Sequence, residues 1–307
     1  MRKGTMVLVA MLLVVALLAS AGCGDKKTSG GTRFSGNFTD DLGRQVTLDT
    51  APQRIVSVSP ACSEILFALG LGDQVVGVTE YCNYPEEALS KPKIGTFTSP
   101  NLESILAQDP DLVLATAGVQ SDMVERMEEM GLKVYVVNPS TFADTVAIIR
   151  DVGSLTGKEA EAGRIADDMQ QRADEITGAV RSAAAAGGVS PKVFYEIFYE
   201  SNVWTAGRDS ILSDLIRMAG GTNLGDADSA DYYEFSVESL IADNPDVYLV
   251  GSGSMANPGD ITTRSGWDRI SAVRNGRVYV VNEDLVYRTG PRLIDGLESI
   301  YQAIKPQ

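Results

Sequence analysis

Short apolar runs alternate with stretches in which apolar residues recur every three or four positions, and the alternation continues over most of the chain. Residues 54–59 (RIVSVS) read as a strand, residues 63–69 (SEILFAL) as a helix stopped by Gly70, and residues 74–78 as a second strand. The pattern continues with a short helix at 102–107, a strand at 112–115, a helix at 122–130 stopped by Gly131, and a strand at 133–137. Strands that are apolar throughout are buried on both faces, so their alternation with helices predicts a parallel sheet covered on both sides. Ahead of them, FTDDLGRQVTL (38–48) turns at Asp41-Leu42-Gly43 between two alternating segments, which predicts a hairpin.

The second half repeats the first. NLESILAQDPDLVL (101–114) aligns without gaps on SVESLIADNPDVYL (236–249) at an offset of 135, with six of fourteen positions identical. VYVVN occurs at 134–138 and again at 278–282. Two matches in the same order argue for two lobes of one architecture, with a period far too long for a solenoid. Between them, residues 159–186 carry Ile165, Met169, Ile176 and Val180 at roughly helical spacing and end at Gly187-Gly188. One helix of that length spans about 40 Å, enough to bridge two lobes. The expected fold is therefore α/β: two Rossmann-like lobes, each a parallel sheet with flanking helices, joined by one long rigid α-helix.

The N-terminus follows a different logic. Arg2 and Lys3 precede an unbroken apolar run from Met6 to Leu18, then Ala19-Ser20-Ala21-Gly22 and Cys23. A charged start, a short apolar segment and a small-residue exit form a signal peptide, and the run is shorter than the ~20 residues of a membrane span. Ala-Gly-Cys after that run resembles a bacterial lipobox, with Ser20 where the motif prefers Leu, Val or Ile. That resemblance implies that Cys23 is lipidated and becomes the mature N-terminus. The expected organisation is a signal peptide at 1–22, a lipidated N-terminus and tether at 23–37, an N-terminal lobe at 38–156, a linker helix at 157–188 and a C-terminal lobe at 189–307. Export makes the compartment disulfide-permissive. Cys62 and Cys82, each just after a strand, are then either a disulfide or two buried thiols.

Composition narrows the chemistry. The chain has 41 acidic and 26 basic side chains, a formal charge of −15 and no histidine. Such a surface repels phosphate backbones, which argues against nucleic-acid binding. Without histidine there is no Ser-His-Asp triad and no His-ligated zinc or haem. Gly70-Leu71-Gly72 closes a helix, whereas the dinucleotide fingerprint opens one. No P-loop is present, and the acids lack EF-hand spacing. A carboxylate-dependent enzyme would need two facing acids, and Asp284 has no evident acidic partner. A binding module fits better than an enzyme.

RIVSVSPACSEILFALGLGDQVVGVTEYCNYP (54–85), NLESILAQDPDLVLA (101–115), WTAGRDS (204–210) and YRTGPRL (287–293) resemble the substrate-binding proteins of bacterial ABC importers for cobalamin, ferric siderophores and haem. The resemblance covers the chain from about residue 38 and is strongest for the cobalamin-binding members. It implies a lipid-anchored, extracytoplasmic, monomeric carrier without catalysis, cofactor or resident metal. Its cargo would be a corrinoid, delivered to a dimeric permease with ATPase subunits. A ferric siderophore or haem is the alternative cargo. The cleft positions carried over are Tyr81, Phe97, Phe198, Trp204, Tyr232, Asp284 and Arg288. Phe97 and Tyr232 stand where the cobalamin-binding pattern has tryptophan. A further tryptophan expected near Thr116 is absent, and Tyr287 occupies an acidic position. Trp267 is assigned to packing. Glu103 and Glu238, equivalent in the repeat and each just after an N-cap residue, are the implied contacts to the permease. The single linking helix predicts only a small opening between the lobes.

Overall fold

The computed structural model describes residues 34–118, 120–253 and 261–305. The expected signal peptide, most of the tether and Cys23 lie outside the described residues. The first strand begins at Gly36, two residues inside the stretch read as tether. No helix among the described residues is long and apolar enough to cross a membrane.

The hairpin forms as expected: β1 (Gly36–Thr39) pairs antiparallel with β2 (Gln45–Leu48). Its turn is fixed by Asp40, which is buried and accepts from Arg44 Nε at 2.9 Å and from the Val136 amide at 3.2 Å. The first lobe then runs β3 (Ile55–Ser57), α1 (Pro60–Ala68), β4 (Val75–Val78), α2 (Leu102–Leu106), β5 (Leu112–Thr116), α3 (Ser121–Glu129) and β6 (Val134–Val137). Its sheet is parallel throughout, in the order β4-β3-β5-β6. β3, β5 and β6 are buried along almost their whole length, which is why their residues are apolar up to Ser57 and Thr116 at the strand ends.

The next helices are α4 (Phe142–Thr156) and α5 (Glu159–Ala185). The second lobe contains β7 (Lys192–Glu196), β8 (Phe198–Tyr199), β9 (Val203–Ala206), α6 (Ile211–Met218), β10 (Thr222–Asn223), β11 (Tyr232–Phe235), α7 (Val237–Asp243), β12 (Val247–Gly251), α8 (Ser271–Arg274), β13 (Val278–Val281), α9 (Glu283–Tyr287) and α10 (Leu293–Ile304). Its parallel sheet runs β10-β7-β12-β13. Counted within each parallel sheet in chain order, both place the second strand first, then the first, third and fourth, which is the duplication expected from the repeat. The second lobe adds what the pattern did not predict, an antiparallel sheet β11-β9-β8. Beneath that sheet lies a core of Phe194, Phe235, Tyr248 and Trp267. Trp267 is 1% exposed, a packing residue as expected. Arg264 stacks 4.4 Å over its ring and 4.0 Å over Tyr199, and its charge is met by the buried Glu196 at 2.6 Å.

α5 connects the lobes, but its buried face differs from the expected one. It runs through Ala162, Ala166, Met169, Ala173 and Ile176, with Ile165 and Val180 only half-buried at its margins. Small residues let α4 come close: a Cβ on Gly153 would overlap that of Ala162. Further along, Arg172 Nε donates to Glu298 at 2.9 Å and its NH2 to Asp295 at 2.6 Å, both on α10. The linker is therefore packed against helices from both lobes.

A second tie joins the lobes directly. Glu64, in the middle of α1, is 2% exposed. Two arginines from the opposite lobe enclose its carboxylate: Arg292 at 2.6 Å and Arg288 at 3.1 Å. Arg292 also stacks 3.7 Å over Tyr84. Its guanidinium is held above the usual arginine range, first by the hydrogen bond to Glu64 and against the effect of burial. A carboxylate out of water is tolerated only with such partners, and removing one partner leaves the others uncompensated. Glu64→Ala should therefore cost about 3 kcal/mol of stability, the low end for a broken buried pair because the arginines reach solvent. Denaturant unfolding reads this as a lower midpoint at unchanged slope. A loss well below about 1 kcal/mol would show that the tie is a surface pair.

Candidate functional site

In open parallel sheets, ligands bind outside the carboxyl ends of the strands. Here those ends in both lobes face one cleft. A cavity of about 710 Å³ is lined on one side by the residues that follow β3, β4, β5 and β6, among them Ser59, Tyr81, Thr116 and Asn138. On the other side lie the start of α6, the start of β11 and the end of α9. A neighbouring cavity of about 560 Å³ shares Tyr232 and Tyr287 with it and adds Ile197, Phe198 and Trp204.

The aromatic positions expected from sequence meet at this cleft. Tyr81, on the loop after β4, is 61% exposed and stands free of the core. Phe97 sits on a tight loop that only Gly95 allows: its φ is +100°, and a Cβ there would lie 2.8 Å from the Asn101 amide. On the other wall, β-strand alternation gathers three rings onto one face. Phe198 on β8 lies opposite Trp204 on β9, which lies opposite Glu234 on β11, two residues from Tyr232. Val203, Thr205 and Phe235 point the other way, into the core. The antiparallel sheet is thus an aromatic panel that lines the neighbouring cavity and reaches the cleft at Tyr232.

The two members of the polar pair are placed differently. Asp284 does not line either cavity. It lies in the first turn of α9 and binds Arg288 at 2.7 Å. Arg288 does line the cleft, but it also donates to Asn83 at 2.7 Å and to Glu64. Arg288 thus joins the lobes through Glu64 and lines the cleft as well, and Asp284 holds it from its own helix.

Several residues at the site carry no motif. Gln120 is 1% exposed. Its Nε2 donates to the carbonyls of Val58 at 2.6 Å and Phe97 at 2.9 Å, and its Oε1 accepts from the Thr116 amide at 3.1 Å. It binds the ends of β3 and β5 to the Phe97 loop. Glu64 did leave a signal: a lone acid inside an apolar helical run must find a partner. Arg208 lines the cleft and donates to the Asp226 carbonyl at 2.8 Å, while Arg217 faces the Asp226 carboxylate at 3.4 Å.

Cys62 and Cys82 are both free thiols and fully buried, so of the two arrangements open from sequence the structure holds the unbonded one. Burial, with Cys82 nearby, pushes the Cys62 thiol up to about 12. Ser63 donates to the Cys82 sulfur at 3.1 Å.

Glu103 and Glu238 are exposed in the first turns of α2 and α7. Asn101 caps the first helix, accepting from Ser104 at 2.8 Å, and Ser236 caps the second, accepting from Ser239 at 3.0 Å. Neither glutamate has an ion-pair partner among the described residues. Each helix runs opposite to the strand after it, so both carboxylates lie on the side of the sheets that faces the cleft.

Comparison with known proteins agrees with this architecture. The family model for periplasmic binding proteins matches residues 55–285. An uncharacterized ABC transporter substrate-binding lipoprotein of Bacillus subtilis is 32% identical over 100% of this chain and 98% of its own length. A cobalamin-binding protein of Halobacterium salinarum is 30% identical over 84% of this chain and 71% of its own. Among solved structures, a periplasmic heme binding protein from Pseudomonas aeruginosa superposes with a TM-score of 0.73 at 26% identity, covering 83% of this chain and 94% of the other. The two-lobed fold, the cleft at the strand ends and these likenesses together establish that the chain belongs to the periplasmic binding protein family, as an extracytoplasmic, non-enzymatic substrate-binding component of an ABC transporter.

Proposed function

We propose that the protein captures a corrinoid, cobalamin or its cobinamide precursor, between its lobes and hands it to a dimeric permease driven by ATPase subunits. The observation that carries this reading is the composition of the cleft. Aromatic rings stand on both walls, Tyr81 and Phe97 on one and Tyr232 and Tyr287 on the other, and Phe198 and Trp204 line the cavity that adjoins it. Rings of this kind supply large apolar area with polar tips, which suits a broad macrocycle with apolar edges. The cations at the cleft are mostly committed. Arg288 is bound to Glu64 and Asp284, and Arg217 faces Asp226 and Asp214. Only Arg208 lacks a carboxylate partner. A strongly anionic chelate would need several uncommitted cations, whereas an amide-rich corrinoid does not.

Delivery calls for an anchor and a docking surface. Cys23, following the apolar run, is the lipid attachment site in this reading, and two or more acyl chains give stable membrane attachment. Glu103 and Glu238 are the docking contacts. Two equivalent exposed carboxylates, one on each lobe, match a two-fold permease carrying two equivalent basic pockets. The local role of such a glutamate, complementing a helix dipole, is worth ~0.3–1 kcal/mol and gives no reason for the two lobes to match.

Two measurements test this reading. Calorimetric titration with cyanocobalamin, cobinamide, hemin and a ferric hydroxamate should show 1:1 binding of the corrinoids. Trp204→Ala or Tyr81→Ala should weaken it by about 1–3 kcal/mol. No heat with either corrinoid, alongside tight binding of hemin or the siderophore, would reject it. The Glu103→Ala, Glu238→Ala double variant should keep wild-type affinity yet lose ligand-dependent uptake in cells that carry the cognate permease. Full uptake, or loss of ligand binding itself, would remove the docking role.

A further inference from the structure

β3 ends at Ser57, while its neighbour β5 runs on to Thr116. The ladder between them continues as far as the bond from the Val58 amide to the Leu114 carbonyl. The next bond in that register would run from the Thr116 amide to the Val58 carbonyl. The side-chain amide of Gln120 stands in its place. Oε1 accepts from the Thr116 amide at 3.1 Å and from the Thr116 hydroxyl at 3.2 Å, and Nε2 donates to the Val58 carbonyl at 2.6 Å. The second N–H goes to the Phe97 carbonyl at 2.9 Å. Every donor and lone pair of the carboxamide is thus used, in a side chain that is almost wholly buried. An ionised glutamate there would only accept, and a lysine would only donate.

Between β3 and β5 the strand order reverses, and such a switch point is where open parallel sheets bind ligands. Gln120 does not line the cleft. Its partners Phe97 and Thr116 do, and so does Ser59, next to Val58. The Phe97 loop has little else to hold its tip. Ile94 and Pro100 are buried at its base, but residues 96–99 are half-buried or exposed. The Asn101 amide closes the base by donating to the Ile94 carbonyl at 2.7 Å, and the Ser99 amide donates to Thr96 Oγ1 at 3.0 Å. Among the described residues, Gln120 makes the one hydrogen bond that reaches residues 96–99 from outside the loop. Helix α3 does without that side chain. Gln120 is its N-cap, where Ser, Thr, Asp or Asn would bond the first-turn amides, and Gln120 makes no such bond.

We infer that Gln120 is a positioning residue: by holding the Phe97 carbonyl to the ends of β3 and β5 it keeps the Phe97 ring in the cleft wall, and so raises affinity for the cargo without touching it. This rests on the cleft proposed above as the binding site, with Phe97 as a contact, and not on the cargo being a corrinoid.

The test is a double-mutant cycle on ligand affinity between Gln120→Met, which keeps the side-chain length and loses its hydrogen bonds, and Phe97→Ala. Cyanocobalamin and hemin are the probes. Gln120→Met should weaken binding of the probe that wild type takes roughly 3- to 10-fold, within the range of coupling between contacting residues. In the Phe97→Ala background the same change should cost less than about 2-fold, whereas beside Tyr232→Ala, on the opposite wall, it should keep its full cost. Amide order parameters of the ligand-free protein should fall at residues 96–99 in Gln120→Met and in Gln120→Ser, whose side chain can cap α3 but cannot reach the loop, while α3 and β6 stay rigid. An equal cost of Gln120→Met with and without the Phe97 ring, or no loss on Phe97→Ala, would overturn the inference. So would order lost across the whole first lobe in both Gln120 variants, because Gln120 would then hold the fold and not the ring. Binding of hemin in place of cyanocobalamin would overturn the corrinoid reading alone, and the cycle would then be read with hemin.

Discussion

The carboxylate of Glu64 has been taken out of water in the middle of an apolar helix, and much of the molecule's arrangement follows from how that charge is met. A charge in that position demands opposite charge at hydrogen-bond distance, and among the described residues the first lobe supplies none. Arg288 and Arg292 come instead from the second lobe, 224 and 228 residues further along the chain. Asp284 and Asn83 then satisfy the donors of Arg288 that Glu64 leaves over. Tyr84 covers Arg292. One buried charge thus sets the spacing of the lobes at one margin of the cleft. The helix α5, packed between α4 and α10, sets it on the other side of the fold. Between those two constraints the aromatic walls stand ready formed, so ordering them takes little free energy at the moment of binding.

The same constraint divides the charged residues by role. Arg288 and Arg217 at the cleft are bound to carboxylates of the protein, so its lining offers rings and hydroxyls beside Arg208, Asp209 and Asp231. Glu103 and Glu238 are exposed at equivalent points of the two lobes. In the function proposed above, binding and docking would draw on different chemistry: apolar area in the cleft, and negative charge on the outer surface, which steers encounters at long range.

Elements built from local pattern were legible in sequence. The parallel strands could be read because burial on both faces makes them apolar throughout, and the duplication because residues 101–114 and 236–249 kept their register. The linker helix was legible from its length and composition, although its buried face proved to run through alanines. What escaped depends on contacts far apart in the chain. β8 and β10 are two residues long, too short for a period-2 signal, and they exist because neighbouring strands pair with them. α4 merges with the start of the linker in any local reading, since only Gly157, in a left-handed conformation, and Lys158 separate the capped helix from the next. The aromatic positions at the cleft were found by resemblance. Arg288 and Asp284 were named the same way; Arg288 lines the cleft and also binds Glu64, and Asp284 binds Arg288. Gln120 left no signal, because its value lies in three backbone groups brought together only by folding.

The central claim is that one ionic tie, together with one packed helix, holds the two lobes at a fixed spacing. The most direct measurement is the distance between spin labels placed at Glu125→Cys on the first lobe and Asp243→Cys on the second, both exposed positions. Ligand-free wild type should give a narrow distribution that moves by less than about 3 Å on adding cyanocobalamin, as expected where partners are pre-organised. Glu64→Ala should broaden the ligand-free distribution. A wild-type distribution that is already broad, or one that stays equally narrow without the Glu64 carboxylate, would contradict the account.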